Sequence, residues 1–107
     1  MPGLETFPNP GVREVELAGD ELTAVCPLTH QPDLYSLTIR YRPGGTCLET
    51  RSLKHYLGGF RNEEHFCEAL AVRIRDDVAA ALAVEPGSVD VALTQKARGG
   101  ITITATV

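Results

Sequence analysis

The sequence predicts an α+β domain, an antiparallel sheet in the order ββααββ with both helices on one face. Three observations carry this. Apolar residues alternate with period two before residue 42 and again after residue 88. Between these stretches the period lengthens to that of a helix. Glycine or proline pairs fall where the pattern changes, at 43–45, 58–59, 86–87 and 99–100. The 107 residues suit one domain spanning 1–107, with a core of modest size.

Residues 1–12 hold three prolines and two glycines and are expected to form an irregular arm. "VREVELAGDELTAV" (12–25) reads as two short alternating stretches with a turn at Gly19-Asp20, and an extra N-terminal strand is one outcome of that reading. "DLYSLTIRYR" (33–42) puts Tyr35, Leu37, Ile39 and Tyr41 on one face and Ser36, Thr38 and Arg40 on the other. In "TRSLKHYLGGF", Leu53, Tyr56 and Leu57 fit a short helix, with Thr50 as N-cap and Gly58-Gly59 as stop. Asn62 is expected to cap a second helix running to about Val84. Its apolar stripe is Phe66, Cys67, Leu70, Ile74, Val78, Ala81 and Leu82, and Glu63 and Glu64 lie near its positive end. "SVDVALTQ" and "ITITATV" read as the closing strands, joined by a hairpin at Arg98-Gly99-Gly100. Helices on one face leave the other face uncovered and threonine-rich, with two open sheet edges. Closing several such sheets into a barrel would satisfy those edges, so a homo-oligomer is expected.

A net charge of −4 argues against a strong nucleic-acid footprint. No apolar run approaches membrane-spanning length, and the N-terminus lacks the basic and apolar regions of a signal peptide. Three cysteines without dense spacing suit free thiols in a reducing, cytoplasmic compartment.

Candidate chemistry centres on "AVCPLTHQPDLYS" (24–36). Cys26 reads either as a small buried hydrophobe at a strand end or as a nucleophile in a proline-rich loop, with Asp33 to move protons. His30 reads as a solvated loop residue more readily than as the base of a Cys/His pair. Cys26, His30, His65 and Cys67 are numerous enough for zinc, but their spacing lacks a metal-binding pattern and no metal is expected. Arg51 and Lys54 share a helix face, and Arg98 sits on a Gly-Gly turn. They read as solvated cations or as a phosphate clamp. Glu68 reads as a surface charge or as a carboxylate gripping a nitrogen-rich ring.

Taken together, "CPLTHQPD", "LETRSLKHYLGGFRN", "FCEAL" and "RGGI", in this order and spacing, resemble the short single-module form of the QueF family of nitrile oxidoreductases. The match covers roughly residues 21–104. The resemblance implies the tunnelling fold (T-fold), assembled into barrels stacked as two rings. It implies NADPH-dependent reduction of 7-cyano-7-deazaguanine, a small-molecule substrate, in queuosine biosynthesis. Cys26 would attack the nitrile to give a thioimide, and Asp33 would be the acid. Glu68 would hold the ring, with Glu49 and Cys67 beside the substrate. Arg51, Lys54 and Arg98 would bind the cofactor, although no strand–GxGxxG–helix is present. The signature departs from the family pattern at Thr50 and Arg51, and Cys67 stands where the family often has histidine. Whether Cys26 and Cys67 pair as a disulfide is left open by the sequence. The nearest alternative is a QueF-like amidinotransferase, which carries the same thioimide on to archaeosine in tRNA. The basic pair and "RGGI" favour the reductase. A pterin- or purine-binding barrel protein and a zinc cyclohydrolase are the remaining alternatives. The Cys26–Asp33 pair argues against the first, and the ligand spacing against the second.

Overall fold

A computed structural model describes residues 3–107, so the first two residues of the expected arm lie outside the described residues. The strands are β1 (Thr6–Pro8), β2 (Val15–Val25), β3 (Pro32–Tyr41), β4 (Thr46–Leu48), β5 (Val89–Arg98) and β6 (Ile101–Thr106). The helices are α1 (Thr50–Gly58) and α2 (Cys67–Leu82). Strands β2-β3-β5-β6 form one antiparallel four-stranded sheet in that spatial order. The ββααββ order is therefore present, and β1 and β4 add a small two-stranded sheet.

Strand alternation decides which face is buried. Tyr35, Leu37, Ile39 and Tyr41 of β3 and Val89, Val91 and Leu93 of β5 are all buried. In register, Leu37 lies opposite Gly19 and Leu93, and Ile39 opposite Leu17 and Val91. Against this face packs α2, whose Leu70, Ile74, Val78 and Leu82 recur every fourth residue and are buried. Ala71 and Ala79 beside them are also buried, and their small side chains let helix and sheet approach closely. The opposite face stays uncovered, with the Thr94 and Thr104 hydroxyls 2.9 Å apart across β5 and β6.

Four local expectations are corrected. Gly19-Asp20 is not a turn: β2 runs through it, with a register shift between Gly19 and Leu22. The arm is not wholly irregular, because Thr6–Pro8 pairs with Thr46–Leu48. The N-cap of α1 is Glu49 rather than Thr50; its carboxylate accepts from the Ser52 and Arg51 N–H groups. Finally, α2 begins at Cys67 with Phe66 as N-cap, not at Asn62. The reason is tertiary. Val25 N–H donates to Glu63 O at 2.9 Å and His65 N–H to Val25 O at 3.0 Å, which ties residues 63–65 to the end of β2. Phe66, expected in the buried stripe, is 51% exposed.

The β5–β6 hairpin has a two-residue turn, Gly99-Gly100, with φ of 65° and 83°. Positive φ at both positions is what a type I′ turn requires, and glycine meets it without strain.

A buried hydrogen bond ties the small sheet to the large one. The Tyr41 hydroxyl accepts from Leu48 N–H at 2.9 Å, with both residues buried. Tyr41→Phe would leave that N–H unpaired, and is expected to cost about 1–3 kcal/mol in denaturant unfolding.

Candidate functional site

At one end of the sheet, β2 and β3 are joined by the loop 26–31. The loop is closed by two backbone hydrogen bonds of 2.9 Å, Cys26 N–H to Gln31 O and His30 N–H to Cys26 O. His30 takes a positive φ of 59°, which lets so short a loop reverse the chain. Cys26 is the first loop residue and is partly exposed. The Thr29 hydroxyl lowers its thiol pKa most, followed by the Thr29 and Leu28 backbone groups; burial and the nearby Asp33 charge oppose them. A lowered pKa gives more thiolate at neutral pH, which is the nucleophilic form. Thr29→Val removes the largest of these effects. The pH midpoint of Cys26 alkylation by iodoacetamide is expected to move upward, with the fold unchanged.

Asp33 is the second residue of β3 and points to the covered face, only 5% exposed. Its Oδ1 accepts a hydrogen bond from Arg98 Nη2, which reaches over from the β5–β6 hairpin. Next on the same face is Tyr35, whose phenol pKa is raised by burial first, then by Asp33, Cys67, Cys26 and Glu68. One side chain thus feels four of the groups that the sequence singles out, from two separate stretches of chain. The tie between residues 63–65 and Val25 brings the start of α2 to this end of the sheet.

At that start, Glu68 is exposed in the first helical turn and Phe66 is exposed beside it. Cys67 points the other way. It is 1% exposed, and its Sγ donates to Leu93 O at 3.5 Å. Burial above all raises its pKa, so it is a neutral thiol at neutral pH. Cys26, Cys47 and Cys67 are all free thiols in the structure.

His30 lies away from this chemistry: its Nδ1 is 2.9 Å from Glu64 Oε2, on the surface. His65 pairs with Glu63. Among the described residues, no three His, Cys, Asp or Glu side chains converge as a metal-ligand set.

Arg51 and Lys54 are exposed on α1. Lys54 borders an open cavity of about 440 Å³ between α1 and the Leu17–Leu22 stretch of β2. Cys26, Asp33 and Glu68 are not among its lining residues. Within one chain, then, Cys26 and Arg98 lie beside Asp33, Glu68 is close to the same Tyr35, and Lys54 borders a separate cavity. The Glu49 carboxylate is used inside the fold as the α1 cap, and its pKa is lowered by the Ser52 and Arg51 N–H groups it accepts from. Spacing alone did not reveal Thr29, Tyr35 or the Asp33–Arg98 contact. The only sequence signal for Thr29 was a hydroxyl three residues after the cysteine.

A family model described as QueF-like protein matches residues 32–107. The NADPH-dependent 7-cyano-7-deazaguanine reductase of Frankia casuarinae is 50% identical over 103 residues, covering 95% of this chain and 81% of that protein. The protein of the same name from Chlorobium chlorochromatii is 43% identical, covering 97% of this chain and 90% of that protein. Among solved structures, the archaeosine synthase QueF-Like in the apo form superposes with a TM-score of 0.80 at 26% identity. That match covers 91% of this chain and 93% of the other.

Proposed function

The chain belongs to the QueF family, and on that premise we propose that it is an NADPH-dependent reductase that converts the nitrile of 7-cyano-7-deazaguanine to an aminomethyl group. The observation that carries this reading is the meeting of an activated thiol, Cys26, with the enclosed carboxylate Asp33 and the exposed Glu68 at one end of the sheet. The Cys26 sulfur bonds to the nitrile carbon. One C–N π bond breaks, and its electron pair goes to nitrogen. Asp33 takes the thiol proton and delivers it to that nitrogen, giving a thioimide with atoms and charge in balance. Glu68 accepts hydrogen bonds from the ring and exocyclic nitrogens, and exposed Phe66 offers an aromatic face beside it. Cys67, sealed against β5, takes no part in proton transfer.

The residues present fit a phosphate-bearing cofactor, since Arg51 and Lys54 put two cations on one face of α1 and Lys54 forms no ion pair among the described residues. NADPH would supply two hydrides in succession, because nitrile to amine is a four-electron reduction. Lys54 borders a cavity that Cys26, Asp33 and Glu68 do not line, which supports a homo-oligomer in which a neighbouring copy brings its cations to the site. The open edges of β2 and β6 offer the contact. The product belongs to queuosine biosynthesis in a cytoplasmic setting, where the thiols stay reduced.

A second reading is favoured by the likeness to the archaeosine synthase: the same thioimide, attacked by ammonia on tRNA. The higher identity to the reductases and the retained Arg51–Lys54 pair favour hydride. Intact-mass analysis of protein mixed with 7-cyano-7-deazaguanine, without NADPH, tests the shared step. One substrate mass added at Cys26 is expected; unmodified protein under conditions where iodoacetamide reacts would refute it.

A further inference from the structure

The hydrogen bond between Arg98 and Asp33 divides the work of one carboxylate between its two oxygens. Residues 65 apart in sequence make this contact, from the β5–β6 hairpin to the second position of β3. Oδ1 is engaged by the guanidinium. Oδ2 has no hydrogen bond among the described residues, yet no sealed side-chain oxygen of those residues lacks a partner. Oδ2 is therefore not walled off, although Asp33 as a whole is 5% exposed. The groups that feel the carboxylate's charge are Cys26 from the loop, Tyr35 from β3 and Cys67 from α2. Arg98 is the one cation that contacts it among the described residues.

We propose that Arg98 is a positioning residue for proton transfer: it anchors Oδ1 so that Oδ2 alone carries the proton from the Cys26 thiol to the substrate nitrogen. The inference rests on the function proposed above and adds a task that cofactor binding does not require. A carboxylate on β3 can rotate about χ2, which would swap its oxygens and move the proton out of line. A planar guanidinium held by a tight Gly-Gly turn stops that rotation. Because the step precedes hydride transfer, it can be read without NADPH.

The test follows the rate of Cys26 adduct formation with 7-cyano-7-deazaguanine, by intact mass and without cofactor. The proteins are the wild type, Arg98→Gln, Arg98→Lys, Asp33→Asn and the R98Q/D33N double variant. R98Q is expected to slow the adduct about 10- to 100-fold, as misaligned reacting groups do. R98K is expected to recover part of that loss. In the D33N background R98Q should cost nothing more, because the two residues act through one proton. Cys26 should remain alkylatable by iodoacetamide in every variant, and R98M replaces R98Q if the latter does not fold. Wild-type adduct rates in R98Q and R98M, or losses that multiply in the double variant, would overturn the inference while leaving the proposed function standing. No adduct in the wild type would overturn both.

Discussion

Replacing Cys26 by alanine is expected to abolish both the covalent adduct and nitrile turnover, while leaving the fold intact. Cys26 lies in a loop, partly exposed, and the residues that build the core are elsewhere. The backbone bonds that close the loop use its N–H and C=O, which alanine keeps. The loss should therefore be chemical. No neighbour replaces the nucleophile, because Cys67 is sealed against Leu93 and Cys47 is buried. Intact mass checks the adduct and a thermal melt checks the fold. Residual turnover in a folded C26A protein would mean that the nitrile is reduced without a thioimide.

Asp33→Asn is expected to slow adduct formation by about 10²- to 10⁴-fold, the range over which a positioned acid–base group acts. Asparagine preserves the shape but cannot pass a proton between sulfur and nitrogen. Arg98 loses its counter-charge, and its side chain is 40% exposed and can turn to solvent, so a large stability loss is not expected. Burial also matters: at 5% exposure, Asp33 faces little water that could replace it as proton carrier. Stopped samples read by intact mass give the rate. Iodoacetamide alkylation distinguishes a lost proton carrier from a lost nucleophile. If D33N forms the adduct at the wild-type rate, the proton comes from elsewhere and Asp33 is structural.

The fold was legible wherever a single period ran uninterrupted. Tyr35 to Tyr41 and Leu70 to Leu82 announce one face each, and both faces are buried apart from Ala81, which is half-buried. It was illegible where long-range bonds overrule local signals. Asn62, Glu63 and Glu64 look like the start of a helix, but Val25 holds residues 63–65 in another path and delays the helix to Cys67. Gly19-Asp20 looks like a turn, but pairing with β3 on both sides carries the strand through as an irregularity. Thr6–Pro8 is too short to show alternation, and it becomes a strand only because Thr46–Leu48 lies beside it. Threonine is a commoner cap than glutamate, so local preference points to Thr50, while the Glu49 carboxylate takes the cap position.

The candidate site divides in the same way. Cys26 and Asp33 flank one loop, so spacing could suggest them as partners. Glu68 joins them only through the tie between Val25 and residues 63–65. The Arg98–Asp33 contact spans the sheet, and no local pattern encodes it. The i, i+3 spacing of Arg51 and Lys54 puts both on the exposed side of α1, but no local pattern relates that side to the thiol.

The central claim is that the Cys26 thioimide is consumed by hydride. The measurement that tests it most directly mixes the protein with 7-cyano-7-deazaguanine and NADPH, follows the nicotinamide absorbance, and quantifies the remaining nitrile. Two NADPH are expected to be oxidised for each nitrile lost, with no oxidation in C26A. NADPH left untouched while the Cys26 adduct accumulates would contradict it, and would pass the thioimide to ammonia instead.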